Sequence, residues 1–223
     1  MSNVKPSIQP YGDAAILIRY PVKQYSEKVV ERVQTLASTL RDMPIWEEVI
    51  TGYREVLVCF NPALMELIEA QKKIDTALKG RPSKLGKKDI IDIPVVYGGQ
   101  FGPDIDNIVR KSGLKIETII KRHSKPVYTV CMMGFIPGFT FLSEAPKALH
   151  HPRHAKPRLS VPAGSVGIAG WQTGIYGLES PGGWQIIGRT PLKIFDKNRE
   201  APFLLKAGDK VQFCPIAESR FDD

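Results

Sequence analysis

The 223-residue chain carries 31 Lys and Arg against 23 Asp and Glu, a net charge of +8, and 43% of its residues are hydrophobic. These fractions are those of a globular protein and exclude a disordered, collagen-like or coiled-coil chain. No apolar run reaches the ~18 residues of a membrane span and no charged-then-apolar signal opens the chain, while Cys59, Cys131 and Cys214 form neither a CxxC pair nor an even framework, so the expected location is a reducing cytoplasm.

Alternation of Ala14, Ile16, Ile18 and Tyr20 predicts a first strand over 14–20. Ser26 then stands as the cap of a helix with the stripe Val29, Val33, Leu36 and Leu40, stopped by Pro44. Residues 46–50 and 55–60 read as two strands joined around Gly52, and Asn61-Pro62 predicts the start of a second helix carrying Leu64, Leu67, Ile68, Ile74 and Leu78. The order strand–helix–strand–strand–helix predicts a small α/β sandwich over residues 1–78. It holds no cluster of catalytic residue types, so its expected role is scaffold or interface.

Residues 79–89, KGRPSKLGKKD, have no apolar periodicity and read as a basic linker. They carry 5 basic and 1 acidic side chains, whereas residues 1–78 carry 9 and 10 and residues 90–223 carry 17 and 12. The positive excess therefore begins at this boundary. A phosphate-cradling Gly-rich loop is excluded here, because Lys88 stands where a Mg²⁺-binding Ser or Thr is required.

A strand is predicted over 90–97, then two short helices between 104 and 123 broken at Ser112-Gly113. The isoleucine spacing, Ile105 and Ile108 before the glycine and Ile116, Ile119 and Ile120 after it, resembles a helix-turn-helix. The second helix would offer a groove only Glu117, Lys121 and Arg122, so a plain corner packing its isoleucines inward is the reading, and no nucleic acid partner is expected. From Val127 the helical period gives way to short apolar runs cut by Gly and Pro. Residues 162–191 hold 8 Gly and 3 Pro without a fixed period, which predicts an all-β barrel for residues 90–223.

Within that region residues 147–158 carry Lys147, Arg153, Lys156 and Arg158 with no acidic residue, beside His150, His151 and His154. Pro146, Pro152 and Pro157 make this a loop. Histidines among four cations are a poor cation site, so no metal is expected, and anion contact or plain surface is the reading.

By residue type, His123 is the one histidine outside that loop and a candidate proton carrier, or else a helix-end histidine answering the dipole. Arg189-Thr190 offers a planar fork and a hydroxyl for a carboxylate or phosphoryl group; the alternative is a paired strand-end arginine. Gln172 and Thr173 have the groups to read an amide, or to satisfy barrel-edge backbone. Gly182-Gly183 fits either an anion-receiving turn or a tight hairpin. Phe135, Pro137 and Gly138, with Phe139 and Phe141, would wall an apolar pocket, in competition with an ordinary aromatic core. Ser165 misses the GxSxG elbow because Ala163 replaces the first glycine, so no serine triad is expected.

Two long segments, Met133 to Leu142 (MGFIPGFTFL) and Val161 to Pro191 (VPAGSVGIAGWQTGIYGLESPGGWQIIGRTP), together with Gly12-Asp13 and the IPVVYGG strand, resemble the family of allophanate hydrolase subunit 1 over nearly the whole chain. That family includes the B-type subunit of 5-oxoprolinase and the Kip-type inhibitor of a sporulation histidine kinase. The resemblance implies a small N-terminal α/β domain followed by a cyclophilin-like β-barrel domain. It further implies work beside two partners, a carboxyltransferase-like one (type C) and a lactam-utilisation one (type A), in ATP-dependent opening of 5-oxoproline to glutamate. ATP, with Mg²⁺, would be a co-substrate of the complex; no cofactor is expected in this chain alone. The alternatives are a partner histidine kinase held inactive by this chain, or allophanate as the amide. Two positions depart from the family: Phe141 stands where tyrosine is usual, and Gly177 where proline is common, which would loosen that turn.

Overall fold

The computed structural model describes residues 5–22, 26–80 and 89–221. The chain divides into two compact units, residues 1–87 and 88–223. Most of the sequence-defined linker, residues 81–88, lies outside the described residues.

The first unit contains β1 (Ser7–Pro10), β2 (Ala15–Arg19), α1 (Glu27–Arg41), β3 (Glu48–Thr51), β4 (Glu55–Cys59) and α2 (Leu67–Lys79). Its strands form one antiparallel sheet in the order β1-β2-β4-β3. Period-2 alternation sends Ile16, Ile18, Val56 and Val58 to one face, where they cluster with Val29, Val33, Leu36 and Leu40 of α1 and with Ala70 and Ile74 of α2. Burying these branched side chains at about 1.5–3 kcal/mol each is what holds helix to sheet. The second helix begins later than Asn61-Pro62 predicts. Asn61 Oδ1 accepts the Ala63 amide at 2.9 Å and closes a turn instead, so Leu64 is left 84% exposed and Ile68 is exposed as well. The short edge strand β1, with Pro10 at its end, carries no hydrophobic alternation that would predict it.

The second unit contains β5 (Ile90–Tyr97), α3 (Ile105–Ser112), α4 (Ile116–Ser124), β6 (Val127–Met133), β7 (Thr140–Glu144), β8 (Arg158–Val161), β9 (Ser165–Ala169), β10 (Gln172–Ile175), β11 (Ser180–Gly182), β12 (Gln185–Arg189) and β13 (Lys210–Pro215). Seven strands close into a barrel in the order β10-β7-β6-β13-β5-β12-β9, and β8 with β11 forms a separate two-stranded ribbon. The last strand runs parallel to the first, from Lys210 opposite Ile90 to Pro215 opposite Val95. On its other side β5 pairs with β12 only at Val96 and Tyr97, so Pro94 lies outside that ladder, where its missing N–H is tolerated. The fold is thus mixed α/β with a closed barrel, as the glycine-cut apolar runs predict.

Gly113, at φ 69°, ends α3 in the left-handed conformation that glycine adopts without strain. The reversal sends Ile105, Ile108 and Ile119 into the barrel core with Ile93, Val130, Leu142, Ile168 and Phe213. The helix pair is therefore a packing corner. A satellite cluster of Phe139, Tyr176, Trp184, Val161 and Ile186, with Phe141 against it, packs beside the main core. No helix among the described residues is long and apolar enough to cross a membrane.

Candidate anion site at the end of β12

Strand β12 ends at Arg189, and Thr190-Pro191 carries the chain out of the barrel. The Arg189 Nε donates to the Ala163 carbonyl at 2.8 Å, and its guanidinium lies 5.4 Å from the centre of the Phe221 ring. The Thr190 amide donates to the Gly164 carbonyl at 2.9 Å, and Thr190 Oγ1 accepts the Leu192 amide at 3.2 Å. Gly164 has φ +81°, and a Cβ there would fall 2.4 Å from the Thr190 carbonyl oxygen. Only glycine permits this approach, which locks the 163–164 turn against the end of β12.

Arg189, Thr190, Gly164 and Phe221 line a cavity of about 810 Å³ together with Gly177, Leu178, Lys193, Phe195, Asp196 and Lys197. That volume suits a small-molecule ligand. The lining charges are three cations against one carboxylate, and Asp196 already has Lys193 at 3.9 Å and Arg199 at 3.8 Å. Arg189 pairs with a carbonyl and not a carboxylate, and among the described residues its two Nη nitrogens have no partner. A guanidinium pinned through Nε keeps its fork of N–H donors for a carboxylate or phosphoryl oxygen pair. Of the predicted residues the cavity brings Arg189 and Thr190 together.

Gly138 reaches this region through the backbone. It has φ +76°, and a Cβ on it would fall 2.6 Å from Phe195 Cβ. A Cβ on Gly177 would fall 2.4 Å from the Gly138 carbonyl carbon. The sequence predicts a loosened turn at Gly177; instead its missing Cβ permits a backbone-to-backbone contact with Gly138 beside the cavity.

The other predicted residues lie elsewhere. His123 is fully buried inside the barrel, with Nδ1 2.8 Å from Tyr97 Oη and Nε2 2.8 Å from Thr173 Oγ1. Thr173 donates its own hydroxyl proton to the Gly167 carbonyl at 3.0 Å. It must then accept from Nε2–H, and Nδ1 must accept from Tyr97, which fixes one neutral tautomer. Burial pushes the His123 pKa down to about 3 and the Tyr97 phenol up. His123 and Thr173 are therefore a sealed structural bridge rather than a proton carrier and an amide reader. His123 does stand in the last turn of α4, as expected, but a buried neutral ring carries no charge to answer the helix dipole.

Gln172 opens β10 opposite Ala169 and Glu144, half-buried. Gly182 packs on Tyr176, whose hydroxyl would lie 2.2 Å from a Cβ there, and the Gly183 carbonyl accepts the His154 amide at 2.7 Å. Gly182 ends β11 and Gly183 follows it, and neither has the positive φ that a left-handed anion-receiving turn would need. Phe135 is 69% exposed at φ 72°, and Pro137 is exposed too. Phe139 is buried in the satellite cluster 4.5 Å, centroid to centroid, from Phe141 and 5.3 Å from Trp184. The phenylalanines are therefore divided between surface and core.

Sequence reasoning missed Asp104, which is 3% exposed. Its Oδ1 accepts Arg158 Nη2 at 2.6 Å and lies 3.2 Å from His154 Nε2, while Oδ2 accepts the Ile186 amide at 2.7 Å. Burial pushes this carboxyl up, but the hydrogen bonds from Arg158 and the Ile186 amide, with His154 beside them, hold it below its ordinary value. This is the acid that the 147–158 loop lacks locally, supplied from the start of α3. Among the described residues no three His, Cys, Asp or Glu side chains are grouped to hold a metal ion.

The profile of the family described as carboxyltransferase domain, subdomain C and D, matches residues 6–205. The chain is 42% identical to the B-type subunit of the 5-oxoprolinase of Escherichia coli O157:H7 over 210 residues, covering 93% of this chain and 94% of that one. It is 36% identical to the corresponding 5-oxoprolinase subunit of Bacillus subtilis strain 168 over 237 residues, covering 98% and 96%. The crystal structure of TTHA0988 superposes with a TM-score of 0.82 at 33% identity, over 91% of this chain; the match spans only 40% of that longer chain. With a profile spanning both units and relatives aligned almost end to end, the chain belongs to the carboxyltransferase subdomain C and D family.

Proposed function

We propose that this chain is the B-type subunit of an ATP-dependent 5-oxoprolinase and that the Arg189 cavity holds an anionic group of the substrate or intermediate. The observation that carries the reading is the end-to-end likeness to two 5-oxoprolinase subunits of this type. The match to only part of TTHA0988 supports a role as one piece of a larger assembly. The expected partners are a carboxyltransferase-like protein and a lactam-utilisation protein.

The chemistry explains why such a subunit needs cations more than a nucleophile. A lactam carbonyl is a poor electrophile. Transfer of the ATP γ-phosphoryl group to its oxygen, with loss of the ring N–H proton, makes a phosphorylated imidate and ADP. Water adds to that carbon, the C–N bond breaks with the nitrogen leaving as the protonated amine, and γ-glutamyl phosphate results. A second water cleaves it to glutamate and phosphate. Every species on this path is an anion, and a pinned guanidinium flanked by lysines stabilises such charge without reorganising. Arg189, with Lys193 and Lys197, would hold and orient a carboxylate or phosphoryl oxygen pair. His123 is sealed away from the cavity and offers it no proton carrier; in this reading proton and phosphoryl transfer are the work of the partner proteins, and the chain alone is expected to be inactive.

The test is reconstitution by omission. Purified partner proteins with ATP, Mg²⁺ and 5-oxoproline should form glutamate only when this chain is added, and this chain alone should form none. Glutamate formation at the same rate without it would refute the assignment.

A further inference from the structure

We propose a second anion site, for a phosphoryl group, on the flank of the barrel unit. A cleft of about 380 Å³ opens between the end of α3, the last turn of α4 and the Lys147–Leu149 turn, and is lined by Lys111, Ser112, Arg122, Lys147, His150 and His151 over an apolar floor. This volume is at the small end for ligand sites. It accommodates a phosphate or diphosphate but not a folded partner segment.

The charge is one-sided. The lining holds three permanent cations and two imidazoles but no carboxylate. Lys111 Nζ donates to the His150 carbonyl at 3.0 Å, which ties α3 to the loop and leaves the ammonium two further donors. Lys111 also answers the partial negative charge of the α3 C-terminus, about half an elementary charge. That leaves the side chains of Arg122 and Lys147, which have no ionic or hydrogen-bond partner among the described residues. Elsewhere in the chain Arg19 is held by Glu55 at 2.7 Å and Arg158 by Asp104 at 2.6 Å. Glu144, 3.5 Å from His150 Nε2, supplies a carboxylate at the rim; the Arg122 and Lys147 side chains are exposed and keep their donors for a bound dianion.

The cleft is also rigidly framed. The His151 amide donates to the Gly170 carbonyl at 3.0 Å, and the Gly170 amide returns the bond to His151 at 2.7 Å, so the loop is stitched to the barrel. The His150 Nε2 lies 2.8 Å from the Ala145 carbonyl and 3.5 Å from Glu144 Oε1, which fixes its ring and commits that nitrogen away from a ligand. Ile108 is buried beneath. A tetrahedral dianion meets cations arriving from three elements better than a planar monoanion does, which selects phosphoryl over a simple carboxylate. The loop is the positive stretch at 147–158, and the Arg189 cavity shares no lining residue with the cleft.

Titration of the full chain with inorganic phosphate at low ionic strength, followed by ³¹P NMR and calorimetry, tests this without any activity assay. The titration is run in the wild-type and Arg189→Gln chains, the latter removing the first anion site. Expected is saturable phosphate binding that survives Arg189→Gln and weakens roughly tenfold or more in an Arg122→Glu/Lys147→Glu chain of unchanged melting temperature. Arg122→Gln/Lys147→Gln provides a neutral version with a smaller loss in the same direction. Parallel titrations with ADP and adenosine identify the source: tighter binding of ADP than of phosphate, with no binding of adenosine, means a nucleotide phosphate, and equal or weaker ADP binding means free phosphate. Absence of saturable phosphate binding in the Arg189→Gln chain, or binding indifferent to both charge variants, would overturn the proposal. Because the cleft is read by binding alone, failure here leaves the omission experiment untouched, and the reverse also holds.

Discussion

The His123 Nε2 donates to Thr173 Oγ1 across 2.8 Å, with Tyr97 Oη at the same distance on the far side of the ring. One imidazole thus joins α4 to strands β5 and β10 inside the barrel, stacked 4.6 Å from the Phe213 ring. A charged ring there would be a buried, unpaired ion, so the bridge exists only while His123 is neutral.

The consequence is a pH dependence of stability with a definite sign. His123 titrates at about 3 when folded and near 6.5 as an unperturbed side chain. Between those values the unfolded chain binds one more proton than the folded one. Its contribution is therefore intact above pH ~6.5 and declines by about 1.4 kcal/mol per unit as pH falls toward 3. Urea unfolding of wild type and His123→Gln across pH 7.5–4 should show a steeper acid loss in wild type. Equal slopes would mean that the imidazole is not buried neutral.

His123→Ala removes both hydrogen bonds and leaves a cavity, at a cost of about 3–5 kcal/mol. Strand-pairing markers of β5 and β10 should lose hydrogen-exchange protection together. Loss confined to α4 would contradict the bridge.

Glycine substitutions should separate backbone strain from steric exclusion. Gly170 has φ +60° with nothing within 4 Å of an added Cβ, so Gly170→Ala should cost only about 1 kcal/mol. Gly177→Ala places a carbon 2.4 Å from the Gly138 backbone and should cost about 2–3 kcal/mol through forced displacement. Gly177→Pro should be at least as harmful. Melting curves of the three variants give the ranking, and a neutral Gly177→Ala would remove the close contact from the argument.

Asp104→Asn should loosen the segment from His154 to Arg158. The carboxylate gathers Arg158, the Ile186 amide and His154 at one point, and losing its charge leaves Arg158 without a counter-ion, at about 2–4 kcal/mol. Because the folded-state pKa is depressed, this contribution is complete above the ordinary carboxylate range and is lost as pH falls below it. Limited proteolysis near residues 153–158 should accelerate in Asp104→Asn at neutral pH; an unchanged rate would contradict the role given to the carboxylate.

Elements with their own periodicity are legible in the sequence. α1 shows its stripe Val29, Val33, Leu36 and Leu40, and the α3–α4 corner is marked by Gly113. β13 is not, because Lys210–Pro215 becomes a strand through distant partners, parallel to β5 120 positions earlier and antiparallel to β6. The start of α2 is misread because Asn61 caps a turn as readily as a helix. At the site, Arg189 and Thr190 are legible from their chemistry. The partner of Arg158 is not, since Asp104 lies 54 residues away and nothing local marks the pairing. His123 misleads because a lone histidine reads alike whether it faces solvent or three barrel strands.

The most direct measurement is the rate of ATP-dependent glutamate formation by the complex reconstituted with wild-type or Arg189→Gln chain, each first shown to melt at the same temperature. Expected is turnover with wild type and a loss of roughly 100-fold or more with Arg189→Gln, by the scale of removing one charged oxyanion donor, partly recovered by Arg189→Lys. No glutamate from the wild-type complex would contradict the assignment as a 5-oxoprolinase subunit, and wild-type rates from Arg189→Gln would remove the β12 cavity from the reaction.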